Sequence, residues 1–190
     1  MSSDLVATWC VSLPDGVHKI EFEHGTTSGK RVIYVDGKVV HKEDWMFKLV
    51  GKEYFTIGSG SKPPAKCVIS IDACSGFAYE YTLEVNGKSL EKFRENQSKI
   101  MKCWVFFAGS ANSTPFRVVL EKDTLNVWVN GQIVETTGEF TDEGTETHFA
   151  LGNTFHSAFI RATSSGKRRT GIIHQLFVDD IEVKEGELKE

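Results

Sequence analysis

The feature that most constrains this chain is a period-two alternation of apolar and polar residues, broken at short intervals by Asp-Gly and Asn-Gly pairs. Leu5, Ala7, Trp9, Val11 and Leu13 fall on one side of an extended backbone, with Val6, Thr8, Cys10 and Ser12 on the other. Phe77, Tyr79, Tyr81, Leu83 and Val85 alternate in the same way with Ala78, Glu80, Thr82 and Glu84. Neighbouring side chains of a strand point to opposite faces, so each run buries one face and wets the other, as antiparallel sheets do. Asp36-Gly37 separates Val32–Val35 from Lys38–Val40, and Asn86-Gly87 and Asn130-Gly131 repeat the signal. Such pairs accept the positive φ angles of a two-residue hairpin. Gly51-Lys52 is expected to separate a strand over Phe47–Val50 from one over Tyr54–Ile57. Trp128, just ahead of a turn, is expected in a core. Helical periodicity is almost absent. Many short strands with regular turns predict an all-β sandwich or barrel.

The pattern also repeats. Val35-Asp36-Gly37 matches Val129-Asn130-Gly131 at an offset of 94 residues, and Gly58 matches Gly152 at the same offset. Ser75-Gly76 matches Ser165-Gly166 at 90, and Leu83-Glu84-Val85 matches Leu176-Phe177-Val178 at 93. Trp9 and Val11 have weaker counterparts in Trp104 and Val105. The economical reading is two tandem antiparallel β-sandwich domains related by duplication, over residues 1–90 and 103–190, since each half is large enough to bury its own core. Residues 91–102 read as a charged linker able to form a short helix. Residues 1–90 carry ten basic and eleven acidic groups, the linker four and two, and residues 103–190 eight and thirteen. Acidity concentrates in Glu139–Glu146 and in a tail from Glu182 to Glu190 that is expected to fray.

A net charge of −4 gives no electrostatic case for nucleic acid. The longest apolar run, Cys103–Gly109, falls well short of the roughly 20 residues that span a bilayer. Met1–Asp4 has no basic start or apolar secretion stretch, and neither a myristoylation glycine nor a prenylation box is present. A cytoplasmic protein with no membrane insertion is expected. Cys10, Cys67, Cys74 and Cys103 form no C-x-x-C pair, so they read as reduced structural thiols rather than zinc ligands or a redox pair.

No motif supplies chemistry. Gly25–Arg31 superficially resembles a phosphate-binding loop. It has one residue too few before Gly29-Lys30, Arg31 where a hydroxyl should hold magnesium, and a strand where a helix N-terminus is needed. It reads instead as a mobile connection. Glu139, Asp142, Glu143 and Glu146 offer oxygen ligands but lack calcium-loop spacing, so a solvated loop is expected. None of His18, His24, His41, His148, His156 and His174 has a metal-helix partner. His18 and His174 read as structural. Lys167, Arg168 and Arg169 in Ser164–Arg169 form a basic loop, the candidate contact for an acidic partner.

Gly16–Arg31, Trp45–Lys52 and Ser75–Leu83 resemble the signature stretches of the Fas apoptotic inhibitory molecule family. Val119–Asp123, Gly144–Phe149, Ser164–Arg168 and Gly171–His174 extend the resemblance, which runs from about Leu5 to Val183. It implies two β-sandwich domains, no enzymatic activity, no cofactor and no catalytic residues. It also implies a cytosolic antagonist of death-receptor apoptosis with survival-signalling and anti-aggregation roles, acting through protein partners of those pathways. The loops Gly58–Ala65 and Gly109–Pro115 look longer than the family's. Two other classes stand beside this reading: a small-ligand or carbohydrate-binding β-sandwich, and a hydrolase whose site is assembled only in space.

Overall fold

In the computed structural model, residues 4–60, 63–109 and 113–186 are described. Residues 61–62 and 110–112 of the two long loops lie outside them, as do 187–190 of the acidic tail. The first sheet is the meander β1 (Leu5–Leu13), β2 (Gly16–His24), β3 (Arg31–Val35) and β4 (Lys38–Glu43). The second is β5 (Gly51–Ile57), β6 (Ala65–Ala73), β7 (Tyr79–Val85) and β8 (Lys88–Ser89). After helix α1 (Leu90–Ile100), the third sheet holds β9 (Met101–Phe106), β10 (Phe116–Glu121), β11 (Val127–Val129) and β12 (Gln132–Ile133). The fourth holds β13 (Thr137–Thr141), β14 (Gly144–Ala150), β15 (Ser157–Ser164), β16 (Ile172–Val178) and β17 (Ile181–Val183). The architecture is all-β, as the alternation implies. The chain divides into two compact units at Lys99/Ile100.

Each unit is a sandwich. Val11, Ile20, Phe22 and Ile33 of the first sheet pack with Ile57, Cys67, Ile69, Ile71, Leu83 and Val85 of the second. Trp104, Val118, Leu120, Val127 and Val129 of the third pack with Phe149, Ala158, Ile160, Leu176 and Val178 of the fourth. Inward residues alternate with outward ones along each strand, so burial follows sequence parity.

One turn device recurs in all four sheets. The last hairpin opens with Asp36, Asn86, Asn130 or Asp179, each at positive φ between 48° and 52°. Its amide donates to a carbonyl two strands back, and its side-chain oxygen accepts the amide of that same residue. The partners are Lys19, Lys66, Arg117 and Ser157 respectively. Only Asx residues combine tolerance of left-handed backbone with a short acceptor able to reach back in this way.

The charged stretch after β8 is ordered. Ser89 Oγ caps α1 by accepting the Lys92 amide at 3.3 Å. Glu91 and Lys99 sit at the favourable ends of the helix dipole. Phe93 of the helix is buried in the first core, with Leu90 packed against it. The tail is also tied down as far as Gly186, whose carbonyl accepts the Val105 amide at 3.0 Å.

Three expectations are corrected. Residues 44–50 are not a strand, so Gly51-Lys52 is not a hairpin turn; β5 begins at Gly51. Phe77 does not join the β7 alternation: its φ is 62° and its ring is fully exposed in the β6–β7 turn. Trp128 is buried, but Val127 and Val129 take the core-facing side of β11, so its indole lies on the opposite face and donates to Glu121. Trp104 is the tryptophan of the second core.

Candidate functional site

Arg31 of β3 and Glu53 of β5 occupy core-facing positions at one end of the first sandwich. Arg31 is 2% exposed. Its Nη1 donates to Glu53 Oε1 at 2.7 Å, and its Nη2 donates at 2.9 Å to the carbonyls of both Lys48 and Val50. His41 Nε2 stands 3.0 Å from the other Glu53 oxygen. A buried guanidinium needs this many acceptors, because desolvation would otherwise exceed the Coulombic gain. Next to it on β2, His24 is buried among Phe22, Tyr79 and Tyr81. Burial, then the positive charge of Arg31, holds its pKa below the ordinary value. The neutral imidazole accepts the Tyr81 hydroxyl through Nδ1 at 2.6 Å.

The cluster fixes the loop 44–50. Besides the two carbonyls held by Arg31, the Met46 amide donates to Ser28 O at 3.0 Å. Gly29 lies so close that a Cβ there would sit 2.3 Å from Met46 O. The Gly25–Arg31 stretch is therefore a closed turn packed on this loop rather than a mobile connection. Its cations are committed as well: Lys30 pairs with Glu23 at 2.9 Å and Asp4 at 3.4 Å. From the anchored loop, Trp45 and Phe47 point outward, 61% and 94% exposed, their rings edge-to-face at 6.2 Å. Sequence reasoning missed this surface, because Phe47–Val50 alternates like a strand.

The second unit keeps its charge cluster on the outer face of the fourth sheet. Arg161 of β15 donates through Nε and Nη2 to Glu146 Oε1 at 3.0 and 2.7 Å, and pairs through Nη1 with Glu143 at 2.5 Å. The guanidinium lies 5.4 and 4.8 Å from the rings of Phe159 and Phe177, which stack on each other at 5.0 Å. Glu146 is thus buried and paired rather than solvated, whereas Glu139, Asp142 and Glu143 are exposed. One ligand atom each from Glu139, Glu146 and His148 falls within 4.8 Å of the others. Arg161 already supplies the positive charge Glu146 needs, and His148 Nε2 stands 3.1 Å from Glu146 and 3.5 Å from Glu139.

Two histidine–aspartate groupings serve the turns. His18 is clamped between Asp15 at 2.9 Å and Asp36 at 2.8 Å. Burial works to lower its pKa, but the hydrogen bonds to Asp15 and Asp36 outweigh that and raise it. His156 and Ser157 converge on Asp179, at 2.5 Å for the imidazole and 3.5 Å for the hydroxyl. A hydrolytic triad needs the hydroxyl on the imidazole and the imidazole on the carboxylate. Here both meet the carboxylate, so the serine gains no base. The Cys67 thiol, buried in the first core, is pushed up to about 12 by burial, which makes it a poor nucleophile.

Lys167, Arg168 and Arg169 project from the β15–β16 hairpin and are exposed, with no ion-pair partner among the described residues. Their loop is closed by Ser165 N to Gly171 O and Gly171 N to Lys167 O, both 3.0 Å.

The geometry defines a double β-sandwich protein whose polar clusters are spent on holding loops and faces, with aromatic and basic groups left at the surface. The family model for Fas apoptotic inhibitory molecule (FAIM1) matches residues 5–186. Fas apoptotic inhibitory molecule 1 of Bos taurus is 63% identical over 183 residues, covering 96% of this chain and 87% of that protein. The Homo sapiens protein of that name is 60% identical, with 96% and 98% covered, and the Mus musculus protein 61%, with the same coverage. The chain belongs to the Fas apoptotic inhibitory molecule family.

Proposed function

We propose that this chain is a non-enzymatic, cytosolic inhibitor of death-receptor apoptosis of the Fas type, working by surface contacts with protein partners, with survival-signalling and anti-aggregation roles of the same kind. The observation that carries the reading is family membership across residues 5–186, with relatives named as apoptosis inhibitors at about 60% identity. The structure supports it in two ways. The meeting of Ser157, His156 and Asp179 is wired wrongly for nucleophilic attack. Large apolar side chains stand exposed, Phe47, Phe77 and Phe155 in loops and Phe140 on the edge strand β13. Among the described residues no helix is long and apolar enough to cross a membrane.

Lys167, Arg168 and Arg169 form the candidate contact in this reading, toward an acidic partner surface. The test is re-expression in cells lacking their own family member, followed by death-receptor stimulation and scoring of survival. Protection by the wild-type chain, weakened when the three basic residues become Glu, supports both parts. Survival no better than with empty vector would defeat the functional reading. Undiminished protection by the charge-reversed chain would remove the basic loop alone.

A further inference from the structure

We propose that the loop 44–50 is a preformed docking surface for an acidic peptide segment carrying apolar anchor side chains, presented by a partner protein. The inference deepens the surface-contact reading above and rests on it. Exposed aromatics on a slack loop would mean little. Here the backbone is held by a buried guanidinium and by a hydrogen bond to the neighbouring turn. Arg31, buried, spends one nitrogen on the Lys48 and Val50 carbonyls, and Ser28 receives the Met46 amide. Gly29 admits the loop only because it lacks a side chain. Order is therefore built in before any partner arrives, which removes much of the entropic cost of binding.

What the ordered backbone presents is Trp45 and Phe47, packed on each other instead of on the body of the protein. Tryptophan and other aromatics dominate binding energy where they insert into a partner. Val50 of the loop and Tyr54 of β5 are exposed as well.

Charge decides the kind of partner. Lys42 is taken by Asp44 at 3.2 Å. Lys48 and Lys52 are exposed and have no ion-pair partner among the described residues. Lys48 follows Phe47 directly in the loop and Lys52 lies at the start of β5, and carboxylates are the complement these two ammonium groups lack. An anionic membrane would satisfy the same two lysines. However, Glu43 and Asp44 stand at the start of the loop and the chain as a whole carries −4, so a bilayer surface would meet repulsion around the contact. A peptide segment can place its acids against Lys48 and Lys52 alone.

The test uses the full chain as bait in selection from a displayed library of short random peptides. Selected peptides are then measured by fluorescence anisotropy against wild-type, Trp45→Ser/Phe47→Ser and Lys48→Glu/Lys52→Glu chains. All four positions are exposed, and unchanged amide spectra outside the loop check that the fold is kept. We expect enrichment of Asp and Glu around Phe, Leu or Trp. Affinity should fall about 30-fold or more in the aromatic variant and about tenfold on charge reversal, with tighter binding at low salt. Selection of basic peptides, of none at all, or of peptides indifferent to the aromatic variant would overturn the proposal. So would Trp45- and Phe47-dependent binding to phosphatidylcholine–phosphatidylserine vesicles, or aromatic-dependent self-association in sedimentation, because each assigns the loop a different occupant. The survival assay separates the two readings: peptide binding with unchanged protection of cells by the aromatic variant upholds the docking surface while detaching it from the anti-apoptotic role.

Discussion

The two units use the same scaffold and differ in where they put their charge. Each pairs two meanders, and each meander ends in an Asx-led hairpin clamped two strands back. The first sheet corresponds to the third and the second to the fourth, along the offsets visible in the sequence. We propose that this correspondence reflects duplication. Within the shared frame, the first unit places Arg31 and Glu53 inside the sandwich end and uses them to hold a loop. The second places its Arg161–Glu146 ion pair on the outer face of the fourth sheet, roofed by Phe159 and Phe177, and buries His174 on the inward side of β16. The corresponding hairpins β6–β7 and β15–β16 carry an exposed phenylalanine at Phe77 in one unit and Lys167–Arg169 in the other. The scaffold is fixed by turns and parity, and it tolerates divergence at tips and on outer faces because little of the core depends on them.

The comparison breaks most visibly in the cores. Arg31→Ala should destabilise the first unit by about 3–5 kcal/mol, since it leaves Glu53 buried without its guanidinium partner. Arg161→Ala should move the second unit's denaturation midpoint far less, because its cluster is partly open to water. Equal shifts, read from unit-specific NMR signals during urea unfolding, would contradict the contrast. Trp104→Ala should cost the second unit a similar 3–5 kcal/mol.

A sharper test concerns independence. We expect fragment 1–102, which retains Phe93, to unfold cooperatively. Fragment 1–90 should be weaker by about 3–5 kcal/mol through the loss of that buried ring. Identical urea midpoints for the two fragments would make the helix a passive linker after all.

Smaller effects should be shared by both units. Asn86→Ala and Asn130→Ala each remove one acceptor and a residue suited to positive φ, and each should cost about 1 kcal/mol. A clear cost in one unit alone would mean that the turn device is not equivalent.

The pH response should separate them again. His24 is held below 6.5 by burial and Arg31, and His174 by burial, Lys122 and Lys102. The unfolded chain takes up protons that these folded sites refuse, so each contributes stability that is lost as pH falls below 6.5. His18 has the opposite sign: its raised pKa adds stability below 6.5 that disappears as pH rises through the folded value. The first unit holds one group of each sign and the second only His174, so acidification from about pH 7 to 5.5 should weaken the second unit more. Parallel pH profiles would show that these histidines do not govern the difference.

Much of the fold was legible because its grammar is local. Parity placed Val11, Leu13, Leu83 and Val85 inside, and Asp36-Gly37, Asn86-Gly87 and Asn130-Gly131 marked true hairpins. The Asp179-Asp180 turn has the same backbone without the glycine, and was missed for that reason. Parity failed where a distant group claimed the backbone. Phe47–Val50 alternates correctly, but Arg31 takes the Lys48 and Val50 carbonyls that a neighbouring strand would have needed. Trp128 kept its parity too, but parity alone does not say which face is the core when both are covered. The Arg31–Glu53 and Arg161–Glu146 pairs were beyond reading, because only the folded sheets bring those partners together. The basic loop was legible as a run of like charge, whereas the Trp45–Phe47 surface was hidden by its likeness to a strand.

The claim at the centre is that protection from death-receptor killing comes from surface contact and not from chemistry. It is tested most directly with a chain lacking every thiol, Cys67→Ala with Cys10→Ser, Cys74→Ser and Cys103→Ser, whose fold is verified by NMR before expression in cells deprived of their own family member. The account predicts survival after receptor stimulation close to that of cells expressing the wild-type chain, since Cys67 is an unreactive core residue and no thiol is assigned a role. A folded thiol-free chain that no longer protects would contradict it and make cysteine chemistry the mechanism.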